Sequence, residues 1–374
     1  MPFCFGKPSR PRRVGFLGSR SLLPVVLVAA LLGACGGPSA PAAQPAAPAP
    51  AAKPAGGSAG QQAAAQPTQP PAPVTINLSF PSRSAPQVLP LIAQEEGFLP
   101  RQGIELDSTF FQGGPPALQA MMAGAADITS QITGTTINAI ANGADIAIIM
   151  GLQADPDYQL YARAEISSVQ ALDGKKVAAA DPGSELNTLV RKTLSYYGLP
   201  PDRYDLLPIG ATNNRYAALT QGAVDATLLS VPLTFDAQAR GMTYLGTTSD
   251  AVPNYMFTTV ATKRDWGRQH ADALVRLIRG YQDFLTWMQD PASKAKMVEY
   301  WVKLSGASEE AARQTYDTYV TGPLKNKVIA PDAGVDRNGV QAVIDIMLES
   351  DILKRPLTVD EVVDLSYWER ASQR

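Results

Sequence analysis

MMAGAADITS (Met121 to Ser130) reads as the last turn of a helix, a glycine, and an aspartate that opens a short strand. Gly124 falls where a helix end calls for positive φ, a conformation glycine adopts without a Cβ penalty. LTQGAVDATL (Leu219 to Leu228) repeats the pattern 98 positions later, with Gly222 and Asp225 in the places of Gly124 and Asp127. A looser copy, ANGADIAIIM (Ala141 to Met150), lies between them. One such turn is common to any α/β protein. Two matched copies, each preceded by a glycine-bearing helix start, predict two similar α/β lobes with a cleft between them.

The 374-residue chain opens with a segment that stands apart from this pattern. Lys7, Arg10, Arg12, Arg13 and Arg20 precede an apolar run, Ser21 to Ala34, of 14 residues. That run is too short to cross a bilayer as a helix and reads as the core of a signal peptide over residues 1–34. It ends in LGAC, which resembles a bacterial lipobox and makes Cys35 the expected site of lipidation and the mature N-terminus. Ordinary signal peptidase cleavage is the other reading. Cys35 would be the only cysteine left, without a disulfide partner, which favours lipidation. Removing the five basic residues of the leader leaves 27 basic against 34 acidic residues, a net charge of −7. That argues against a nucleic-acid partner, whose phosphates need a basic face. Gly36 to Pro73 is almost all Ala, Pro, Gly and Gln, with Lys53 its one charge. Residues 35–73 are therefore expected to be a disordered tether behind the anchor.

The rest reads as strands alternating with helices. Val74 to Phe80 and Ile104 to Phe111 are expected strands, followed by Asp127 to Ser130 and Asp145 to Gly151. Tyr158 to Ala162 is read as a strand leaving the first lobe. Lys176 to Ala180, Tyr204 to Leu207 and Asp225 to Leu229 follow in the second. Ser184 to Tyr197 places Leu186, Leu189, Val190 and Leu194 on one stripe of a helix. The expected lobes are 74–163 plus 244–374, and 164–243. The helices from Arg268 onward are expected to pack on the first lobe.

PLIAQEEGFLPRQGIELD, QGGPPALQAMMAGAADITS, LDGKKVAAADPGSELNTLVRKTLSYYGL and ALTQGAVDATLLSVP resemble the nitrate/sulfonate/taurine and thiamine-pyrimidine binding proteins of ABC importers. The resemblance covers Val74 to Leu245 and weakens through the C-terminal helices. It implies an α/β, two-lobed periplasmic-binding-protein type II fold, the second lobe inserted into the first, with extra C-terminal helices. It also implies a monomeric extracytoplasmic receptor that hands a small organic molecule, a sulfonate, a pyrimidine or similar, to a membrane permease, without cofactor or metal. Exported and held by its lipid anchor, it would sit at the outer face of the cell membrane or in the periplasm.

In open α/β sheets ligands bind beyond the C-terminal ends of strands, where helix N-termini favour polar or anionic groups. From the first lobe those ends contribute Phe80, Ser82, Arg83, Gly113, Gly114, Ser130, Gln131 and Thr133 as candidate ligand contacts. From the second they contribute Asp181, Gly183, Ser184, Asn213, Arg215 and Ser230. Arg83 and Arg215 speak for an anion. Phe80, Phe110, Phe111 and Tyr158 speak for an uncharged ring, and Asp181 against an anion in its own lobe. Hinge closure over the ligand is expected, with Gly183→Trp or Ser130→Trp filling the cleft.

Enzyme readings find little support. The single histidine, His270, lies outside both repeats, and GxSxG, P-loop and GxGxxG patterns are absent. A thiamine-pyrimidine synthase shares the implied fold, and the resemblance would give it an active-site histidine and a cysteine-rich motif. A sensing domain of a signalling system is the third alternative, and would need a membrane span after residue 35.

Overall fold

The computed structural model describes residues 72–182, 184–322 and 327–373. The expected signal peptide, Cys35, the tether as far as residue 71, and Gly183 lie outside them.

Ten strands form two five-stranded sheets. The first contains β1 (Val74–Phe80), β2 (Ile104–Phe110), β3 (Ile128–Ile132), β4 (Ile146–Gln153) and β10 (Thr258–Lys263). The second contains β5 (Gln159–Ala162), β6 (Lys176–Ala179), β7 (Asp205–Pro208), β8 (Ala226–Leu229) and β9 (Thr243–Thr247). The orders are β2-β1-β3-β10-β4 and β7-β6-β8-β5-β9. Each lobe thus orders its own four strands second, first, third, fourth, and admits one strand that crosses from the other side between its third and fourth. That crossing strand, β10 or β5, is antiparallel to both neighbours, whereas β1 pairs in parallel with β2 and β3, and β6 with β7 and β8.

The repeated motif holds equivalent positions in both sheets. Gly124 and Gly222 adopt φ of 82° and 72°. Asp127 then accepts the backbone N–H of Asn77 at 2.8 Å, tying the start of β3 to β1. Asp225 accepts the N–H of Lys176 at 2.9 Å, tying the start of β8 to β6. The aspartate is in the motif because a parallel ladder begins there, and its carboxylate satisfies an N–H at the edge of that ladder.

Strand pairing moves the crossings outward from the expected positions. β5, read as leaving the first lobe, and β9, read near the return to it, pair with each other in the second sheet. The crossings are the short segments β4 to β5 and β9 to β10. They run side by side: Thr248 N–H donates to Tyr158 O at 2.9 Å, and Phe257 N–H to Ala154 O at 3.0 Å.

The C-terminal helices do more than cover the first lobe. Ala271–Met288 buries Leu274, Leu277, Ile278, Tyr281, Phe284, Leu285 and Met288 against the first sheet, in one cluster with Ile76, Leu78 and Trp301. Each such side chain contributes about 1.5–3 kcal/mol on leaving water. Arg337–Glu349 instead shares a cluster with second-lobe Leu160, Val177, Leu186 and Leu189, and its Glu349 pairs with Lys192 at 3.2 Å. The expectation that these helices serve the first lobe alone is corrected there: the stripe Val340, Val343, Ile344 and Met347 is buried from both sides. Among the described residues no helix is long and apolar enough to cross a membrane.

Candidate functional site

A cleft of about 520 Å³, counted to its open mouth, lies where the C-terminal strand ends of the two sheets face each other. The loop after β1 supplies Pro81, Ser82 and Ser84, the turn after β2 supplies Gly113 and Gly114, and β3 supplies Gln131 and Ile132. From the second lobe come Ala180 and Ser184 after β6, Gly210 to Thr212 after β7, and Ser230 after β8. The floor is built by the crossings: Gln153, Asp157, Tyr158, Phe257 and Thr258. Tyr158 and Phe257 meet edge to face with centroids 5.4 Å apart.

Arg215 is the only cation lining the cleft among the described residues, and it is 1 % exposed. Its guanidinium donates to Gly210 O, to Thr212 Oγ1 at 3.0 Å and to Leu228 O at 3.3 Å. Those bonds fold the side chain back on its own lobe, and burial lowers its pKa from the ordinary arginine value. Its Nε has no hydrogen-bond partner.

Asp157 forms part of the floor. Oδ1 accepts from Gln153 Nε2 at 2.7 Å, and Oδ2 from Val231 N–H at 3.2 Å and from the Tyr319 hydroxyl. Burial raises its pKa, while these three bonds work the other way. Tyr319 belongs to the π-helical turn Asp317–Thr321, so the floor is pinned to the C-terminal region.

The lobes touch across the cleft. Asn214 Nδ2 donates to Gln112 Oε1 at 3.1 Å, and Glu185 N–H to Thr135 Oγ1 at 3.2 Å. Glu185 is 4 % exposed and receives the Tyr255 hydroxyl at 2.8 Å. Burial is the main reason its pKa is pushed up to about 7. Asp181 reaches Gly113, where a Cβ would lie 2.0 Å from its Oδ2.

Of the residues expected at the site, Ser82, Gly113, Gly114, Gln131, Ser184, Arg215 and Ser230 line the cleft. Asp181 stands at its edge between Gly113 and Gly210. Asn213 contacts the C-terminal region instead, its Nδ2 3.5 Å from Ser305 O. Phe80, Arg83, Ser130 and Thr133 do not line it and are corrected. Phe80 is 3 % exposed and packs on Phe110 inside the first lobe. Arg83 is exposed and lies over the Phe110 ring at 4.9 Å. Ser130 and Thr133 are fully buried, Ser130 bonding Gln87 Oε1 and Thr133 facing Thr259 at 3.3 Å. A Trp at position 130 would disrupt the first sheet rather than plug the cleft. Gly183 is outside the described residues. Of the expected stacking aromatics only Tyr158 reaches the cleft. His270 is half-buried and stacks on Trp266 at 4.2 Å.

Gln153, Asp157, Phe257 and Thr258 were not legible as site residues. Their signal was present only in part: β4 also ends at the cleft, and QADPDY places an acid directly after it.

A family model described as "NMT1/THI5 like" matches residues 86–293, a span that runs through both lobes. A putative aliphatic sulfonates-binding protein of Bacillus subtilis (strain 168) is 24 % identical over 294 residues, 75 % of this chain and 84 % of that protein. The periplasmic nitrate-binding protein NrtA from Synechocystis PCC 6803 superposes with a TM-score of 0.69 at 16 % identity, over 80 % of this chain and 89 % of that one. The desulfurization enzyme DSZB superposes with a TM-score of 0.57 at 15 % identity, over 79 % and 98 %. The fold is thus that of periplasmic binding proteins of type II, and it also carries catalysis.

Proposed function

The chain belongs to the NMT1/THI5-like family, and we propose that it is the extracytoplasmic receptor of an ABC importer, capturing a small organic molecule between its lobes for a membrane permease. The observation that carries this reading is a set of buried polar atoms without partners, contributed by both lobes to one cleft. Gln131 Oε1 comes from the first, Arg215 Nε and Ser230 Oγ from the second. A buried polar atom left unpaired costs roughly 1–3 kcal/mol, so such a set supports a ligand that completes it. The sulfonate-binding relative and the nitrate-binding neighbour support the transport context. Cys35 and the Ala/Pro-rich stretch behind it would hold the receptor, a monomer, at the membrane through a lipid.

The enzyme alternative differs in outcome. A receptor returns its ligand unchanged. The test is a thermal-shift screen of the full chain with small organic acids, amides and heterocycles, followed by product analysis of each hit. A true ligand at a hundredfold excess over its Kd adds about 2.7 kcal/mol of stability. A hit recovered as product would replace the receptor reading with catalysis. Metabolic labelling with a palmitate analogue, lost in Cys35→Ala, checks the anchor.

A further inference from the structure

Two of the unpartnered atoms in and beside the cleft are acceptors, and they flank one turn. A Cβ on Gly113 would lie 2.0 Å from Asp181 Oδ2, and one on Gly114 would lie 2.9 Å from Gln131 Oε1. Both oxygens are buried without a hydrogen-bond partner. The Gln131 amide cannot be turned over to supply a donor there, because its Nε2 already donates to Gly114 O at 3.1 Å and Thr129 Oγ1 at 3.0 Å. Gly113 and Gly114 open the helix Gly114–Met122, whose N-terminus would ordinarily attract an anion. Here Pro115 and Pro116 follow directly, so two of the first four positions have no N–H to offer. A carboxylate of the protein, Asp181, already stands at that end.

Also in the second lobe, Arg215 donates from its terminal nitrogens to Gly210 O, Thr212 Oγ1 and Leu228 O, which leaves its Nε–H and one Nη1–H, with the Ser230 hydroxyl also unpaired. We infer that the group captured in this cleft is uncharged, a carboxamide, lactam or ureide, with N–H donors toward Gln131 and Asp181 and a carbonyl toward Arg215 and Ser230. This rests on the receptor reading and gives its ligand a chemical class. An anion would bring a second negative charge beside Asp181 and leave both acceptors unpaired. The aliphatic sulfonates named for the Bacillus relative are therefore disfavoured here.

The test is calorimetric titration of the full chain with pairs that share a skeleton and differ in charge: benzamide with benzoate, butanesulfonamide with butanesulfonate, and uracil with orotate. The uncharged member is expected to bind tighter by roughly tenfold or more in at least one pair, the cost of an unpaired buried acceptor. Asp181→Asn, close in shape, should shrink that ratio while far-UV circular dichroism is unchanged. An anion bound more tightly than its uncharged partner overturns the inference and leaves the receptor reading standing. So does a wild-type preference that Asp181→Asn does not alter. Binding of no member of any pair counts against both.

Discussion

Glu185 of the second lobe lies so close to Gly134 of the first that a Cβ on that glycine would sit 2.5 Å from the carboxylate carbon. The glycine is needed for this approach and not for its dihedral angles, since it sits within the helix Thr133–Ala141. Glu185 has little freedom to retreat. Tyr255 holds its Oε1 at 2.8 Å, and its own N–H is bound to Thr135 Oγ1. The contact therefore sets how nearly the lobes can come together.

Gly134→Leu is predicted to wedge the lobes apart without unfolding either. Leucine suits a helix, so the cost falls on the interlobe contact, about 1–3 kcal/mol as for overpacking elsewhere. That corresponds to a loss of roughly 5- to 150-fold in ligand affinity. Small-angle scattering should show a wider body than wild type at saturating ligand. Unchanged affinity and dimensions would mean that closure does not run through this contact.

The same carboxylate predicts a dependence on pH. With its pKa pushed up to about 7 from the usual 4.5, Glu185 binds more protons in the folded protein than in the unfolded chain between those values. Stability must then fall as pH rises through that window, by roughly 3 kcal/mol in all, and level off above it. Lys192 and the Tyr255 hydroxyl act against the shift, but burial outweighs them. Glu185→Gln stays uncharged at every pH. Its melting temperature should match wild type near pH 5 and exceed it near pH 8. Parallel curves for the two proteins would rule this out.

Much of this architecture was written locally. The motif Gly124-Ala-Ala-Asp127 fixes a helix end and a strand start within four residues, and its copy at Gly222 does the same. Two sheets of matching order followed from that. The cleft was half legible for the same reason: Ser82, Gly114, Gln131 and Ser230 sit at strand ends that the local pattern reveals. Phe80 and Arg83 misled because residue type does not say on which side of a strand end a side chain falls. The floor was hidden because Gln153 meets Phe257 only through a pairing about a hundred residues long, and no periodicity encodes that. A second long-range pairing, of β5 with β9, placed β9 in the second sheet.

The twin aspartates give a paired prediction. Asp127→Ala removes the acceptor for Asn77 N–H and Nδ2, both at 2.8 Å. Asp225→Ala removes the acceptor for Lys176 N–H and the Arg163 ion pair at 3.7 Å. Both carboxylates are half-exposed, so each loss should be about 1–2 kcal/mol, and the exposed ion pair should add little. The sites lie in different sheets and share no partner, so the double variant should lose the sum. Urea unfolding of the four proteins measures this, and a strongly non-additive double variant would contradict the independence of the two lobes' edges.

Tyr319 and Asp157 couple the cleft floor to the C-terminal region, and their bond can be removed by a single atom. Asp157 is buried and depends on three donors: Gln153, the Val231 N–H and the Tyr319 hydroxyl. Tyr319→Phe deletes one and leaves a buried carboxylate short of a partner, at a cost of about 1–3 kcal/mol. Burial already raises the Asp157 pKa, and losing a bond to the charged form raises it further. The variant's loss should therefore shrink as pH is lowered, because protonation relieves the unpaired charge. Asp157→Asn in the Tyr319→Phe background removes that charge and should flatten the pH dependence. A loss that stays the same across the pH range would contradict this, and would mean that Tyr319 serves the floor by packing alone.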